Sequence, residues 1–380
     1  MYLLLLAVIY LAFISLGLPD SMLGASWPTV YVEMGVPISY MGIVTMVIAT
    51  GTVLSALMTD RVVAKFGTRT VTAVSVLLTA GALFGFSIST EFWQICLFGI
   101  PYGLGAGAID AALNNYVALH YNSKHMSWLH CFWGVGTIIS PYIMSLALAN
   151  GSWSDGYRSV SYIQLGIAAA IFLSYPLWKV NVHKDSEEVA VTPIGIGQAV
   201  KIQGVVPVLI GFMSYCAAES TAMLWASSYF EGMFSVSKEE AALLGSLFFI
   251  GITSGRALAG FISDRLGDEK MIGIGGIIAL IGTALTALPI KEVAIVGFVI
   301  IGLGCAPIYP SIIHMTPARF GKERSQSIIG IQMASAYLGA TFMPPIFGLI
   351  ANHIHIGLMP LYLIFFLLLM LISIGHSKKK

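Results

Sequence analysis

Charge is the scarcest thing in this sequence. Its 380 residues include 19 lysines and arginines and 18 aspartates and glutamates, 10% of the chain, where a soluble domain carries roughly 25%. Hydrophobic residues make up 57% and the mean hydropathy is +0.86. A soluble globule could not bury that much apolar surface, nor stay dispersed on so few charges. A disordered chain is excluded by the same figures. The net charge of +1 gives no bulk attraction for a polyanion, so no nucleic-acid partner is expected. Cysteine is equally sparse. Cys96, Cys131, Cys216 and Cys305 form no disulfide framework, and no Cys/His spacing resembles a zinc site. They read as buried apolar fillers, and neither a metal nor a cofactor is expected. Basic residues are missing from the start, Met1-Tyr2-Leu3, so no cleaved signal peptide is expected.

Long apolar runs are what the sequence has in abundance. A bilayer core of about 30 Å needs about 20 helical residues per crossing. Twelve runs qualify, near 3–25, 38–59, 71–90, 93–118, 127–149, 158–179, 205–230, 241–262, 271–289, 292–315, 327–350 and 356–375. They are continuous rather than alternating, which predicts helices and not barrel strands. The expected class is an all-α membrane protein. Fifteen of the basic residues, from Arg61, Lys65 and Arg69 to Lys378, Lys379 and Lys380, fall on one side of such a layout. Only Arg158, Lys238 and Lys291 fall on the other, and Arg256 lies inside a span. Basic loops stay in the cytoplasm, so both termini are expected there, in a multi-pass protein of the cell membrane.

The runs repeat. The longest polar stretch, about 180–203 with Lys184, Asp185, Glu187 and Glu188, separates six runs from six. This predicts six-helix halves at 1–180 and 204–380 joined by a linker at 181–203. Ser15, Asp20 and Ser21 match Ser214, Glu219 and Ser220 at an offset of 199, and Gly103-Leu104-Gly105 matches Gly302-Leu303-Gly304. Asp60-Arg61, followed by Gly67 and Arg69, is paired with Asp264-Arg265, which follows Gly260 and precedes Gly267, at an offset of 204. Gly136 with Pro141 answers Gly339 with Pro344.

Twelve spans, a six-plus-six repeat, a central polar loop and Gly260-x-x-x-Asp264-Arg265-x-Gly267 resemble the major facilitator superfamily. The resemblance covers the whole chain and implies two pseudo-symmetric six-helix bundles with a solute cavity at mid-membrane. It implies a gating role for Asp60, Arg61, Gly67, Arg69, Gly260, Asp264, Arg265 and Gly267. Physically, Asp60 and Asp264 sit at helix C-terminal ends, where the macrodipole disfavours an anion. Each should seek a cation or a helix N-terminus. Arg256, eight residues before Asp264, is grouped with them as a partner of an acid or of a helix end.

Three acids lie well inside the spans: Asp20, Asp110 and Glu219. A charge there costs about 2.5–3.5 kcal/mol on insertion scales. Removing a carboxylate from water favours its protonated form, so each is a candidate for proton coupling or for binding a solute's hydroxyls. Pro19 removes a backbone donor and frees the carbonyl of Ser15, which makes the helix at Asp20 bendable. Helical spacing places Gly103, Gly107, Asp110, Asn114 and Val117 on one face.

Pro19-Asp20-Ser21-Met22-Leu23 and Gly107-x-x-Asp110-Ala111-Ala112-x-Asn114 resemble the fucose–proton symporter branch of that superfamily. There, a span-one Asp and a span-four acid serve sugar binding and proton coupling. The stretch from Trp128 to Gly136 looks like the branch's span five, with His130 and Trp133 at its amide positions. Candidate solute-binding residues at cavity depth are Asn114, Asn115, His130, Trp133, Gln164, Trp225, Tyr309, Gln332 and Tyr337. His120, His125, His353 and His355 fall at helix ends and are expected to face water.

The expected function is secondary transport of a sugar or similar polyhydroxylated solute, coupled to protons, by a monomer. Sodium is the weaker alternative, with oxygen ligands from Asn114 and Asn115. Proton-driven export of drugs or lipids and a non-transporting sensor are the competing readings. No enzyme is expected. Asp20 and Asp110 match an aspartyl dyad in residue type alone, and the repeat would have no role there.

Overall fold

In lipid every backbone N–H and C=O must find its partner inside the chain, and a long apolar run does this as a helix. The structure, a computed structural model, describes residues 2–37, 40–149, 152–182, 193–236 and 238–377. Residues 183–192, part of the expected linker with Lys184, Asp185, Glu187 and Glu188, and Lys378, Lys379 and Lys380 lie outside the described residues.

The helices in chain order are α1 Tyr2–Gly17, α2 Met22–Glu33, α3 Met41–Phe66, α4 Thr68–Ser87, α5 Phe92–His120, α6 Ser123–Ala149, α7 Trp153–Leu173 and α8 Tyr175–Val182. After the short α9 Ile196–Ala199 come α10 Val205–Phe234, α11 Lys238–Leu266, α12 Asp268–Thr286, α13 Lys291–Cys305, α14 Ile308–His314, α15 Thr316–Phe320, α16 Ser325–His353 and α17 Met359–His376. No strand occurs among the described residues. Eleven stretches among them are long and apolar enough to cross a bilayer. The remaining crossing is α7, whose 21 residues reach about 32 Å at 1.5 Å per residue. The architecture is the twelve-helix one.

Two expected boundaries move. The sixth span starts at Trp153 and ends at Leu173 rather than running 158–179. Arg158, expected in a loop, lies inside that helix and pairs with Asp155 at 3.0 Å. The first span is not continuous, because turn residues 18–21 divide α1 from α2.

The chain divides into two compact units. The first holds Met1–Tyr116, Leu129–Pro193 and Lys322–Met333, the second Val117–Trp128, Ile194–Gly321 and Ala334–Lys380. In the first, Leu18, Met22, Trp27 and Val30 pack on Leu83 and Phe86 of α4 and on Tyr157 and Val160 of α7. The Ser161 hydroxyl donates to the Ala80 carbonyl at 2.8 Å. In the second, the Tyr229 hydroxyl donates to the Thr286 carbonyl at 2.6 Å, and the rings of Phe230 and Phe298 stand 4.9 Å apart. Lipid offers no hydrophobic drive for helix association, so close packing and such hydrogen bonds carry it, about 0.6–1.7 kcal/mol per bond. Small residues make the approach possible. A Cβ on Gly103 would strike the Ile48 carbonyl of α3, and one on Gly302 the Phe248 carbonyl of α11. The expected Gly-Leu-Gly match is thus the same helix crossing in each unit. Leu3, Leu146, Leu173, Phe261 and Leu361 are exposed, as lipid-facing positions must be.

Candidate functional site

The site is built around the break in the first span. Proline at 19 brings no N–H to the Ser15 carbonyl four residues back. That carbonyl instead accepts the side-chain amide of Gln164 at 2.6 Å, deep inside the first unit. The chain then turns through 18–21, with Asp20 N–H donating to the Gly17 carbonyl at 3.3 Å. Asp20 stays accessible. Its two carboxylate oxygens accept the Tyr102 hydroxyl of α5 and the Trp133 indole N–H of α6, both at 2.8 Å. An acid at a broken helix, flanked by a phenol and an indole, offers acceptor atoms beside aromatic faces.

A second polar group lies on the same two helices. Asp110 and Asn114 are one turn apart on α5, and Asn114 Nδ2 donates to Asp110 Oδ1 at 2.7 Å. Asn114 Oδ1 is 3.1 Å from His130 Nε2, and all three residues are buried. The His130 ring meets Phe13 of α1 edge-on, with centroids 5.5 Å apart. Trp133 follows His130 by three residues, so one face of α6 touches Asp20 and the Asn114 that holds Asp110. Asp20, Trp133, Asp110, Asn114 and His130 are therefore brought together in the first unit.

Other candidates go elsewhere. Asn115 is turned to the Ser325 hydroxyl at 2.6 Å, and Gln164 is spent on the Ser15 carbonyl. Gln332 is buried on α16 and Tyr337 half-buried further along that helix. In the second unit Glu219 and Arg256 form a buried ion pair at 3.4 Å, so the acid that Arg256 partners is Glu219. Tyr309 stacks its ring edge on Phe212 at 4.7 Å. The Trp225 indole donates to the Pro344 carbonyl at 2.9 Å.

The structure corrects one pairing of the repeat. Gly67 has φ 76° and ψ 153°, and Gly267 has φ 78° and ψ 156°. Both are left-handed turns between consecutive helices, a conformation that favours glycine. These two glycines are equivalent, 200 residues apart, so Asp60 stands opposite Gly260 and Ala64 opposite Asp264. The offset of 204 matched like side chains at unlike places in the turn. Asp60 is buried and accepts the Ser327 hydroxyl, in the first turn of α16, at 2.6 Å. Asp264 takes the Lys124 ammonium at 3.4 Å and the Lys124 backbone N–H at 3.1 Å. Both acids thus reach the start of another helix, and Asp264 a cation too. Arg69 lies over the Tyr175 ring at 4.0 Å, Arg265 is exposed, and Arg61 offers its backbone N–H to Asp60 at 2.7 Å. The Trp128 ring sits on Gly260.

Sequence reasoning missed Tyr102, Ser123, Asp268 and His314. The signal for Tyr102 was a hydroxyl inside an apolar run, which must find an acceptor when buried. For the rest there was only a set of polar residues at helix ends. His125, expected in water, is buried between Tyr121 and Trp128.

The family model of the Major Facilitator Superfamily matches residues 9–233 and 207–375. Among curated proteins, the chain is 23% identical over 390 residues to bypass of stop codon protein 6 of Saccharomyces cerevisiae, covering 92% of this chain and 77% of that one. It is 23% identical over 299 residues to the glucose/mannose transporter GlcP of Bacillus subtilis, covering 74% and 71%. Among solved structures, the E. coli fucose:proton symporter FucP superposes with a TM-score of 0.78 at 15% identity, covering 100% of this chain and 98% of that one. With the family model spanning nearly its whole length, the chain belongs to the major facilitator superfamily.

Proposed function

We propose that this transporter is a proton-coupled symporter of a sugar or a similar small polyhydroxylated solute, working by alternating access. The observation that carries the reading is Asp20, accessible at a helix break and gripped by Tyr102 and Trp133. Hydroxyls can replace these donors on the carboxylate while a sugar ring lies against the indole. Names of relatives support it, since GlcP is a glucose/mannose transporter and FucP a fucose:proton symporter. Asp110, buried beside Asn114 and His130, is the group we assign to the proton, as intramembrane acids commonly serve proton relays. Glu219, paired with Arg256, is a further coupling candidate. Sodium is the alternative ion. The proposed arrangement is a monomer in the cell membrane, with halves at 1–180 and 204–380 and both termini cytoplasmic.

The test is uptake of radiolabelled glucose, mannose and fucose into proteoliposomes under an imposed pH gradient, with a sodium gradient in parallel. Asp110→Asn should keep counterflow exchange and lose gradient-driven accumulation. Accumulation that persists in this variant removes Asp110 from the coupling role.

One observation favours a second reading. In the first unit a recess of about 810 Å³ is lined by Gly42, Ile43, Met46, Val47, Thr50, Gly51, Leu54, Ile100 and Leu104. Only Thr50 is polar, which suits an apolar molecule and hence proton-driven export of drugs or lipids. Flat thermal shifts across monosaccharides, disaccharides and polyols, with a shift for amphiphiles, would move the assignment there.

A further inference from the structure

Asp268 opens α12 and His314 closes α14. The Asp268 carboxylate accepts the Ser123 hydroxyl at 2.5 Å and stands 2.6 Å from His314 Nδ1. The other ring nitrogen, Nε2, is 3.0 Å from the Tyr121 carbonyl oxygen. A carbonyl has no hydrogen to give, and an ionised carboxylate has none either. Both ring nitrogens therefore face acceptors. An imidazole satisfies two acceptors only with an N–H on each nitrogen, which is the imidazolium. A neutral ring would set a bare lone pair against one of the two oxygens.

The neighbouring charges have partners of their own, although Asp264 also acts on His314. Asp264 is answered by Lys124, and Glu269 by Arg319 at 3.8 Å. Arg265 and Lys270 are exposed, and His125 packs between Tyr121 and Trp128. His314 is the basic side chain facing Asp268. Its side chain is 19% exposed and that of Asp268 14%, enough for a proton to come and go through water.

We infer that His314 is a proton-binding site, separate from Asp20, Asp110 and Glu219, that clamps the 121–124 connection onto α12 and α14. With the proton bound, one ring ties Asp268 to the Tyr121 carbonyl, and Ser123 closes the same clasp. When the proton leaves, one of the two ring contacts is lost and the connection is held less tightly, by Ser123 on Asp268 and Lys124 on Asp264. On the orientation proposed above, the site faces the cytoplasm, so an alkaline cytoplasm loosens this connection. The site works in this way whatever the solute.

The test needs no solute. Thermal unfolding of the purified full-length transporter is followed from about pH 6 to about pH 9, a window chosen around the ordinary histidine range. A group held in its protonated form adds stability at low pH and loses it as pH rises. The midpoint of the wild type should fall with rising pH more than that of His314→Gln, which titrates nothing there. His314→Arg keeps the charge throughout and should resemble Gln in slope but lie above it. Asp268→Asn should flatten the profile from the other side of the pair. At one fixed pH near 8, trypsin should cut after Lys124 about fivefold faster in His314→Gln than in His314→Arg, the factor that about 1 kcal/mol produces. Wild type and His314→Gln falling in parallel would overturn the site, and equal cleavage in Gln and Arg variants would overturn the clamp.

Discussion

Replacing Gln164 by leucine isolates what the broken first span depends on. The Ser15 carbonyl has lost its helical donor to Pro19, and Gln164 supplies the substitute at 2.6 Å with no exposed surface. An orphaned buried acceptor costs about 1–3 kcal/mol in general. Side-chain hydrogen bonds between membrane helices average about 0.6 and reach about 1.7 kcal/mol, because groups left behind find other partners. Here the proline denies the obvious other partner, which pushes the cost up. Gln164 Oε1 makes no hydrogen bond among the described residues, and leucine removes that liability, which pulls it down. We expect a net loss of about 1 kcal/mol, between those two limits. The assay is unfolding of purified protein titrated with SDS in mixed micelles. The decisive comparison is the double-mutant cycle with Pro19→Ala, which returns an N–H to position 19. In that background Gln164→Leu should cost less, with an interaction energy of about 0.5–1 kcal/mol. Equal costs in both backgrounds would refute the account, and so would an unchanged stability of Gln164→Leu alone.

Two further substitutions follow from the packing. Glu219→Gln leaves the buried Arg256 guanidinium without its anion and should destabilise by about 3–5 kcal/mol. Glu219→Gln with Arg256→Met should recover most of that in the same SDS titration, and a double variant as unstable as the single would argue against the pair. Gly107→Val places a Cβ against the Thr52 carbonyl and should cost about 1–3 kcal/mol by overpacking. Gly166→Ala, with open space around its Cβ position, should unfold like the wild type.

Much of the architecture was legible because its causes are local. Apolar length and the absence of alternation pointed to helices, and a glycine pattern pointed to close crossings. Pro19 announced a free carbonyl at Ser15. The Asp110–Asn114 contact followed from helical spacing of four. The destination of that Ser15 carbonyl was not legible, because Gln164 lies 149 residues away in sequence. Nor was the partner of Asp20, since Tyr102 is 82 residues off. The Asp60–Asp264 match failed for a related reason. Like side chains were aligned, whereas the backbone equivalence is carried by Gly67 and Gly267 and their positive φ. Asn115 was grouped with Asn114 by adjacency, yet a helix turns 100° per residue, and Asn115 meets Ser325.

By itself the sequence determined the solvent of this protein, the number and type of its spans, and the repeat that makes it a transporter of the major facilitator superfamily. Scarce charge and long apolar runs act through local solvation and need no partner to be read. The tertiary structure alone decided which polar groups meet. It brought Asp20 to Trp133 and Tyr102, Arg256 to Glu219, and His314 to Asp268 and the Tyr121 carbonyl. In lipid an unmet polar group is costly, so most of them find a partner. Which partner it finds is set by how helices pack side by side, a distance of a few ångströms that sequence separation does not measure.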